Sequence, residues 1–247
     1  KIRQIETRLS GRLQQLAHPE EILNVGIGLM HSVAWMPRLL PLFHEHYPDV
    51  SVRLIEQGDE LLLKALQSND ADIIIGGMPV STQDVTVTLA LEQLLLIVPR
   101  AFNIIPSWAY TGNSYENPYE IDPKQLQGLP LILPSTVNDI GGITNQVLEH
   151  FDIRPKFVTT VDSMQTAAML VAQDMGYLFT SPIFLKAQMA ELAPNIVYCM
   201  ARGIPDSRKI VAVYHSDTYK EEMISQFLKL LRVVMFKDQP GMFPLDG

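Results

Sequence analysis

The chain has 247 residues, 47% of them hydrophobic and 19% charged, which is enough apolar material for one large domain or two small ones. No apolar run approaches the ~20 residues that a membrane-spanning helix needs, and a single cysteine, Cys199, excludes an intramolecular disulfide and a multi-cysteine metal site. A net charge of −8 works against nucleic acid as a direct partner of these residues, because affinity for phosphates comes from clustered Lys and Arg.

Residues 1–17 (KIRQIETRLSGRLQQLA) place Ile2, Ile5, Leu9 and Leu16 at heptad-like spacing, with Arg and Gln between them. The pattern fits an exposed helix seeking a partner and equally an amphipathic helix packed on its own domain. It has neither the apolar core nor the small-residue cleavage site of a secretory signal, which with the low cysteine count points to the cytoplasm. His18-Pro19 ends the helix, since the residue before a proline is pushed out of the α region. From Glu21 the period changes. Residues 22–27 read as an apolar strand, 32–46 as a helix with Met36, Leu39, Leu40 and Phe43 on one face, and 50–56 as a half-buried alternating strand. A helix at 59–67 and an apolar strand at 72–75 complete a βαβαβ order, which implies a parallel sheet covered on both faces with right-handed crossovers.

Two further strands are expected at 85–91 and 94–98, followed by Pro99 and an irregular polar stretch, Asn103–Pro118. The rhythm then restarts. Asp122-Pro123 opens a short helix, with Asp as N-cap and Pro at the first helical position. Strands at 131–133, 156–161 and 177–180 alternate with helices at 138–151 and 163–175, the second stopped by Gly176. A strand at 209–214 and a long amphipathic helix at 220–235 follow. The fold class is α/β, with two similar layers in succession.

Ligands of open parallel sheets sit where a strand hands over to a helix. The first such loop, Gly26-Ile27-Gly28-Leu29-Met30-His31-Ser32, would offer backbone N–H groups to an anion. Its glycines are too few for a dinucleotide fingerprint, so no nucleotide cofactor is expected. Ser32 is either an N-cap or a ligand contact, and His31 either a contact or a surface residue. The second layer carries a matching loop, Pro134-Ser135-Thr136-Val137-Asn138-Asp139. Each loop alone is ordinary capping chemistry; the pair suggests one small ligand.

Catalytic patterns are missing from the sequence. His44 and His46 lie two apart and point to different sides of a helix, so they cannot grip one metal together. Cys199 sits in an apolar run, Ile196-Val197-Tyr198-Cys199-Met200, where a buried inert thiol is the ordinary outcome. Neither G-x-S-x-G nor H-E-x-x-H occurs. No metal, no cofactor and no catalytic residue is expected.

Several stretches taken together resemble the effector-binding region of LysR-type transcriptional regulators. Asn24–Pro48, ending Leu39-Leu40-Pro41-Leu42-Phe43-His44-Glu45-His46-Tyr47-Pro48, is similar to that family's first strand and helix. Leu54–Gly58 and Leu66–Gly76 resemble its second strand, helix and third strand; Leu94–Pro99 resembles a crossover strand, and Val161-Asp162-Ser163 with Gly176–Pro182 the later elements. The opening heptads resemble the linker helix that joins sensor to winged helix. The resemblance implies a type 2 periplasmic-binding-protein-like fold: a linker helix at 1–18, lobe I at 19–98 plus 215–238, and lobe II at 99–214, joined by crossing strands near Leu94–Pro99 and Lys209–Tyr214. It places a small metabolite in the cleft between lobes. Implied contacts are Gly28, Met30, His31 and Ser32, then Gln57 and Gly58, and in lobe II Ser135, Thr136, Asn138, Thr180 and Ser181.

Gly28 and Met30 stand where many relatives carry Ser or Thr, which leaves room for an effector more apolar than a small carboxylate. The resemblance further implies a homodimer or homotetramer paired through helix 36–46 and strand 50–55. DNA would be bound only through an N-terminal winged helix-turn-helix absent from these residues, and no membrane is involved. An extracytoplasmic solute-binding protein of a transporter uses the same two-lobed architecture and is the alternative; the linker-like helix and the missing signal favour the regulator. A two-lobed enzyme is a third class, for which the sequence supplies no catalytic set.

Overall fold

The structure is a computed structural model that describes residues 22–77, 84–135, 139–186, 189–205, 207–237 and 241–244. The heptad helix expected at 1–17 lies outside the described residues. In chain order the elements are β1 (Ile22–Ile27), α1 (Leu29–His46), β2 (Ser51–Glu56), α2 (Asp59–Gln67), β3 (Ile73–Gly76), β4 (Val85–Gln93), β5 (Leu95–Pro99), β6 (Tyr119–Ile121), β7 (Leu131–Pro134), α3 (Asp139–His150), β8 (Val158–Val161), α4 (Met164–Val171), β9 (Leu178–Thr180), α5 (Pro182–Leu185), α6 (Met189–Leu192), β10 (Ile196–Ala201), β11 (Ser207–Tyr214), α7 (Glu221–Phe236) and β12 (Met242–Phe243). The chain divides into two units, after Ala90 within β4 and after Arg208 within β11; Gly241–Phe243 belong with the second unit.

In the first unit the strand order is β4-β11-β3-β1-β2. β1 runs parallel to β2 (Val25 opposite Leu54) and to β3 (Val25 opposite Ile73), while β11 is antiparallel to β3. Since β1 leads to β2 on one side and the chain then returns to β3 on the other, right-handed crossovers place α1 and α2 on opposite faces. Period-2 alternation divides the core accordingly. Ile74 and Val211 join Leu62, Leu66 and Val213 beneath α2. On the other side α1 packs on α7, with Phe43 edge-on to Phe227 at 5.4 Å.

Helix α1 buries Trp35, Met36, Leu39 and Phe43 and carries two internal prolines, Pro37 and Pro41. Each removes one hydrogen bond and crowds the carbonyl four residues back. Both prolines lie on the exposed face four residues apart, so water can satisfy the carbonyls that lose their partners. In α2 the acidic Asp59 and Glu60 complement the helix dipole, and Glu60 is bonded to Lys64 one turn on at 2.6 Å.

The amino-terminal edge of this sheet is closed by a buried polar cluster. The Lys220 side chain is fully buried; its Nζ donates to the Ile22 carbonyl at 2.5 Å and to Asp72 Oδ2 at 2.7 Å. The same carboxylate oxygen accepts from Asn24 N at 2.7 Å and from Asn24 Nδ2 at 3.0 Å. One cluster therefore ties the start of β1, the residue before β3 and the residue before α7 together.

The second unit holds a four-stranded sheet, β6-β10-β5-β9, and the parallel pair β7-β8. A parallel bridge between Leu131 and Tyr177 joins β7 to the start of β9. The succession β7-α3-β8-α4-β9, with β7 between β8 and β9, repeats the order of β1-α1-β2-α2-β3. Asp122 caps the turn at Pro123–Leu126 through a capping box with Gln125, as its sequence predicts. Helix α4 ends at Val171, short of the expected 175, because Asp174 takes a left-handed φ of 59° and Met175 N bonds back to the Leu170 carbonyl at 3.1 Å.

Removing the buried ammonium would leave Asp72 uncompensated, so Lys220→Met is expected to cost about 3 kcal/mol in chemical denaturation. The Asp72→Asn, Lys220→Met double variant should recover part of that loss. A single-variant loss below about 0.5 kcal/mol, the value of an exposed pair, would show that the cluster does not hold the sheet.

Candidate functional site

In a sheet ordered β2-β1-β3 the chain reverses direction beside β1, and the crevice this leaves lies at the carboxyl ends of β1 and β3. The residues at that edge are those of the expected loop. Gly28 is the N-cap of α1 in extended conformation, and the first intrahelical bond runs from Ser32 N to the Gly28 carbonyl at 2.9 Å. Among the described residues no side chain caps the helix and its first turn has no acidic residue, so its positive end has no carboxylate of its own. The helix thus begins three residues earlier than expected, and Ser32 is a buried residue of the first turn, not its cap. His31 is buried as well, its ring stacked on Trp35 at 4.6 Å and 18°, which corrects the expectation that it is a surface residue if not a contact. Met30 is half-buried and Leu29 exposed.

The register of β1 and β2 places Ile27 opposite Glu56, so the loops that follow run side by side, and Gln57 N donates to the Ile27 carbonyl at 3.3 Å. Gly58 caps α2, whose start already has its own carboxylates, Asp59 and Glu60. Of the two helix starts, that of α1 is therefore the one suited to an anion. Gly26 lets α2 approach β1: a Cβ there would stand 2.8 Å from Ile74 Cγ2 and 3.0 Å from Leu62 Cδ2. Sequence reasoning did not select Gly76 and Gly77, which end β3 at this edge, although paired glycines closing an apolar strand were a legible signal.

The second unit presents the equivalent edge. Ser135 follows β7, is half-buried, and donates its N–H to the Val161 carbonyl at 2.8 Å. Three residues separate Leu131 from Pro134 and Tyr177 from Thr180, so the parallel bridge brings Ser135 and Ser181 out at the same level. Thr180 and Ser181 are fully buried, and Ser181 Oγ has no hydrogen-bond partner among the described residues. Gly141 permits α3 to start against the end of β7, because a Cβ there would lie 2.3 Å from the Pro134 carbonyl oxygen. Thr136 and Asn138 lie outside the described residues. The predicted residues thus gather at two edges, Gly28, Met30, His31, Ser32, Gln57 and Gly58 in one unit, and Ser135, Thr180 and Ser181 in the other.

A cavity of about 620 Å³ lies elsewhere, between the end of α1 and the start of α7, lined by His46, Tyr47, Glu221, Glu222 and Lys229 among others. It lies at the opposite end of α1 from Gly28–Ser32. Cys199 is fully buried, and burial pushes its thiol up to about 12. Among the described residues no group of three His, Cys, Asp or Glu could hold a metal ion, and no helix is long and apolar enough to cross a membrane.

A family model described as the LysR substrate binding domain matches residues 17–235. The chain is 26% identical over 213 residues to a probable RuBisCO transcriptional regulator of Porphyra purpurea, covering 83% of this chain and 63% of that protein. It is 24% identical over 180 residues to the RuBisCO operon transcriptional regulator of Acidithiobacillus ferrooxidans, covering 73% and 54%. The chain therefore spans less than two thirds of these relatives. Among solved structures, the regulatory domain of MetR, a LysR family regulator from N. meningitidis, superposes with a TM-score of 0.70 at 16% identity, covering 91% of this chain and all of that one. The Synechocystis PCC6803 CcmR regulatory domain in complex with 2-PG gives 0.70 at 17% identity, covering 89% and 99%. At these identities the likeness establishes the fold, that of type 2 periplasmic-binding-protein-like regulatory domains.

With its thiolate suppressed, Cys199 is expected to resist alkylation by iodoacetamide at pH 8 and to react within minutes once urea unfolds the chain. Rapid labelling of the folded protein would contradict its burial.

Proposed function

This chain belongs to the LysR substrate binding domain family, and from that premise we propose that it is the effector-sensing part of a cytoplasmic DNA-binding transcriptional regulator. The observation that carries the reading is the repetition of one strand order in both units, which yields two switch-point edges bearing the residues selected from sequence. The start of α1 receives an anionic group of the effector, with His31 beside it. Half-buried Met30 accepts an apolar part. In the second unit the hydroxyls of Ser135, Thr180 and Ser181 supply hydrogen bonds, joined by Thr136 and Asn138.

The regulatory role is favoured over a transporter's solute-binding protein because the matched relatives carry transcriptional regulator names. Two copies pair through the exposed face of α1 within residues 36–46 and through β2, an edge strand of its sheet. DNA contact belongs to a winged helix-turn-helix of the parent protein, in keeping with the acidic charge of this chain. The chain carries out no catalysis in this reading.

The test is a thermal-shift screen against a panel of anionic metabolites that includes 2-PG. A compound present at a hundred times its Kd should stabilise the domain by ~2.7 kcal/mol. Ser135→Ala should weaken that compound roughly 5–10-fold, the equivalent of one lost hydrogen bond of about 1 kcal/mol. A compound that stabilises wild type, Ser32→Ala and Ser135→Ala equally would place the effector elsewhere and sink the assignment.

A further inference from the structure

After α7 the chain leaves the first unit and its last described residues pair with the second. Gln93 N donates to the Gly241 carbonyl at 2.7 Å, and Met242 and Phe243 lie opposite Glu92 and Leu91 in antiparallel register. Gly241 has a left-handed φ of 72°, and a Cβ on it would stand 2.8 and 2.9 Å from the Pro182 ring carbons Cγ and Cδ and 3.2 Å from Gln93 Cβ. Met242 is buried. The strand end that receives them is fixed by the ion pair of Arg208 with the fully buried carboxylate of Glu92. The tail therefore bears directly on Pro182, the first residue of α5, next to Thr180 and Ser181.

We propose that β12 is a strap: by docking on the end of β4 and on Pro182 it fixes Thr180 and Ser181, so that the state of the tail sets how well the second unit receives an effector. The link to effector affinity rests on the reading of Thr180 and Ser181 as contacts; the strap itself does not. Two ladder pairs at a sheet edge give a segment of marginal local stability. Such an element has docked and undocked states close enough in free energy for a neighbouring contact to bias the balance. Gly241 is the positioning residue, since any side chain there meets the proline ring and a disfavoured backbone conformation together.

Hydrogen exchange of the full chain and of a variant ending at Asp238 tests the strap without an effector. The expected result is at least tenfold faster exchange of the amides of 179–185 in the shortened variant, with 22–46, 131–134 and 196–201 unchanged. A synthetic peptide of residues 239–247, added in trans, should restore the protection, and Gly241→Ala in the full chain should give an intermediate rate. Equal exchange at 179–185 with and without the tail would overturn the proposal. Loss of protection throughout the second unit would overturn it too, by making β12 an ordinary structural strand. Ser181→Ala separates the two readings: it should weaken any compound found in the thermal-shift screen roughly 5–10-fold while leaving the tail's protection of 183–185 intact.

Discussion

A strand followed by a parallel neighbour must send the chain across one face of the sheet, and with L-residues that crossing is right-handed. Most of what matters in this protein follows from that constraint applied twice. In the first unit β1 is followed by β2 on one flank and β3 on the other, so the crossovers cover both faces and leave a crevice at the carboxyl ends of β1 and β3. In the second unit β8 and β9 flank β7 in the same way. Each crevice collects loop residues that are far apart in sequence, such as Ser135 and Ser181, because parallel register makes strand ends coincide.

Rigidity is distributed unevenly along the first sheet. At its amino-terminal edge Lys220, Asp72, Asn24 and the Ile22 carbonyl form a buried cluster in which one carboxylate oxygen takes three hydrogen bonds. Burial makes such a cluster stable only while every partner is present, so it ties β1 and β3 to α7 in a single arrangement. The opposite edge carries Gly26, Gly28, Gly58 and Gly76, and at Gly26 the missing Cβ lets the Leu62 and Ile74 side chains close in on β1. The buried polar cluster thus lies at the end of the sheet opposite the proposed effector contacts.

The strands and helices of the first unit were legible because their apolar periods are clean: the expected ranges of β1 and α2 coincide with those observed. The start of α1 was misplaced because Ser32 has the better capping side chain, whereas tertiary packing put Gly28 at the cap and Ser32 in the core. Four elements escaped notice for a different reason. β6 and β12 are two or three residues long and exist only through pairing with β10 and β4, contacts that no local pattern records. α5 and α6 are single turns, although Ser181-Pro182 was a readable helix start. Lys220 was legible only as the start of an amphipathic helix, since its partners Asp72 and Ile22 are 148 and 198 residues away. For the candidate contacts, what the sequence made legible is their position at strand ends, because sheet topology fixes where such ends meet.

A sensor needs its ligand to distinguish two states, and a tenfold difference in affinity corresponds to only ~1.4 kcal/mol. That is less than the roughly 3 kcal/mol expected for loss of the Lys220 ammonium and comparable to one or two hydrogen bonds at a strand end. On the proposed reading of the chain as a sensor, the parts able to respond on that scale are those held by a few such bonds. Among the described residues β12, with two ladder pairs, and the end of β9 at Thr180–Ser181, where the buried Ser181 Oγ lacks a partner, meet that condition. The elements buried by α1, α2 and α7 do not. Stability and responsiveness are thus assigned to different residues, the first by apolar burial and the amino-terminal ion cluster, the second by the sparse polar contacts where strands end.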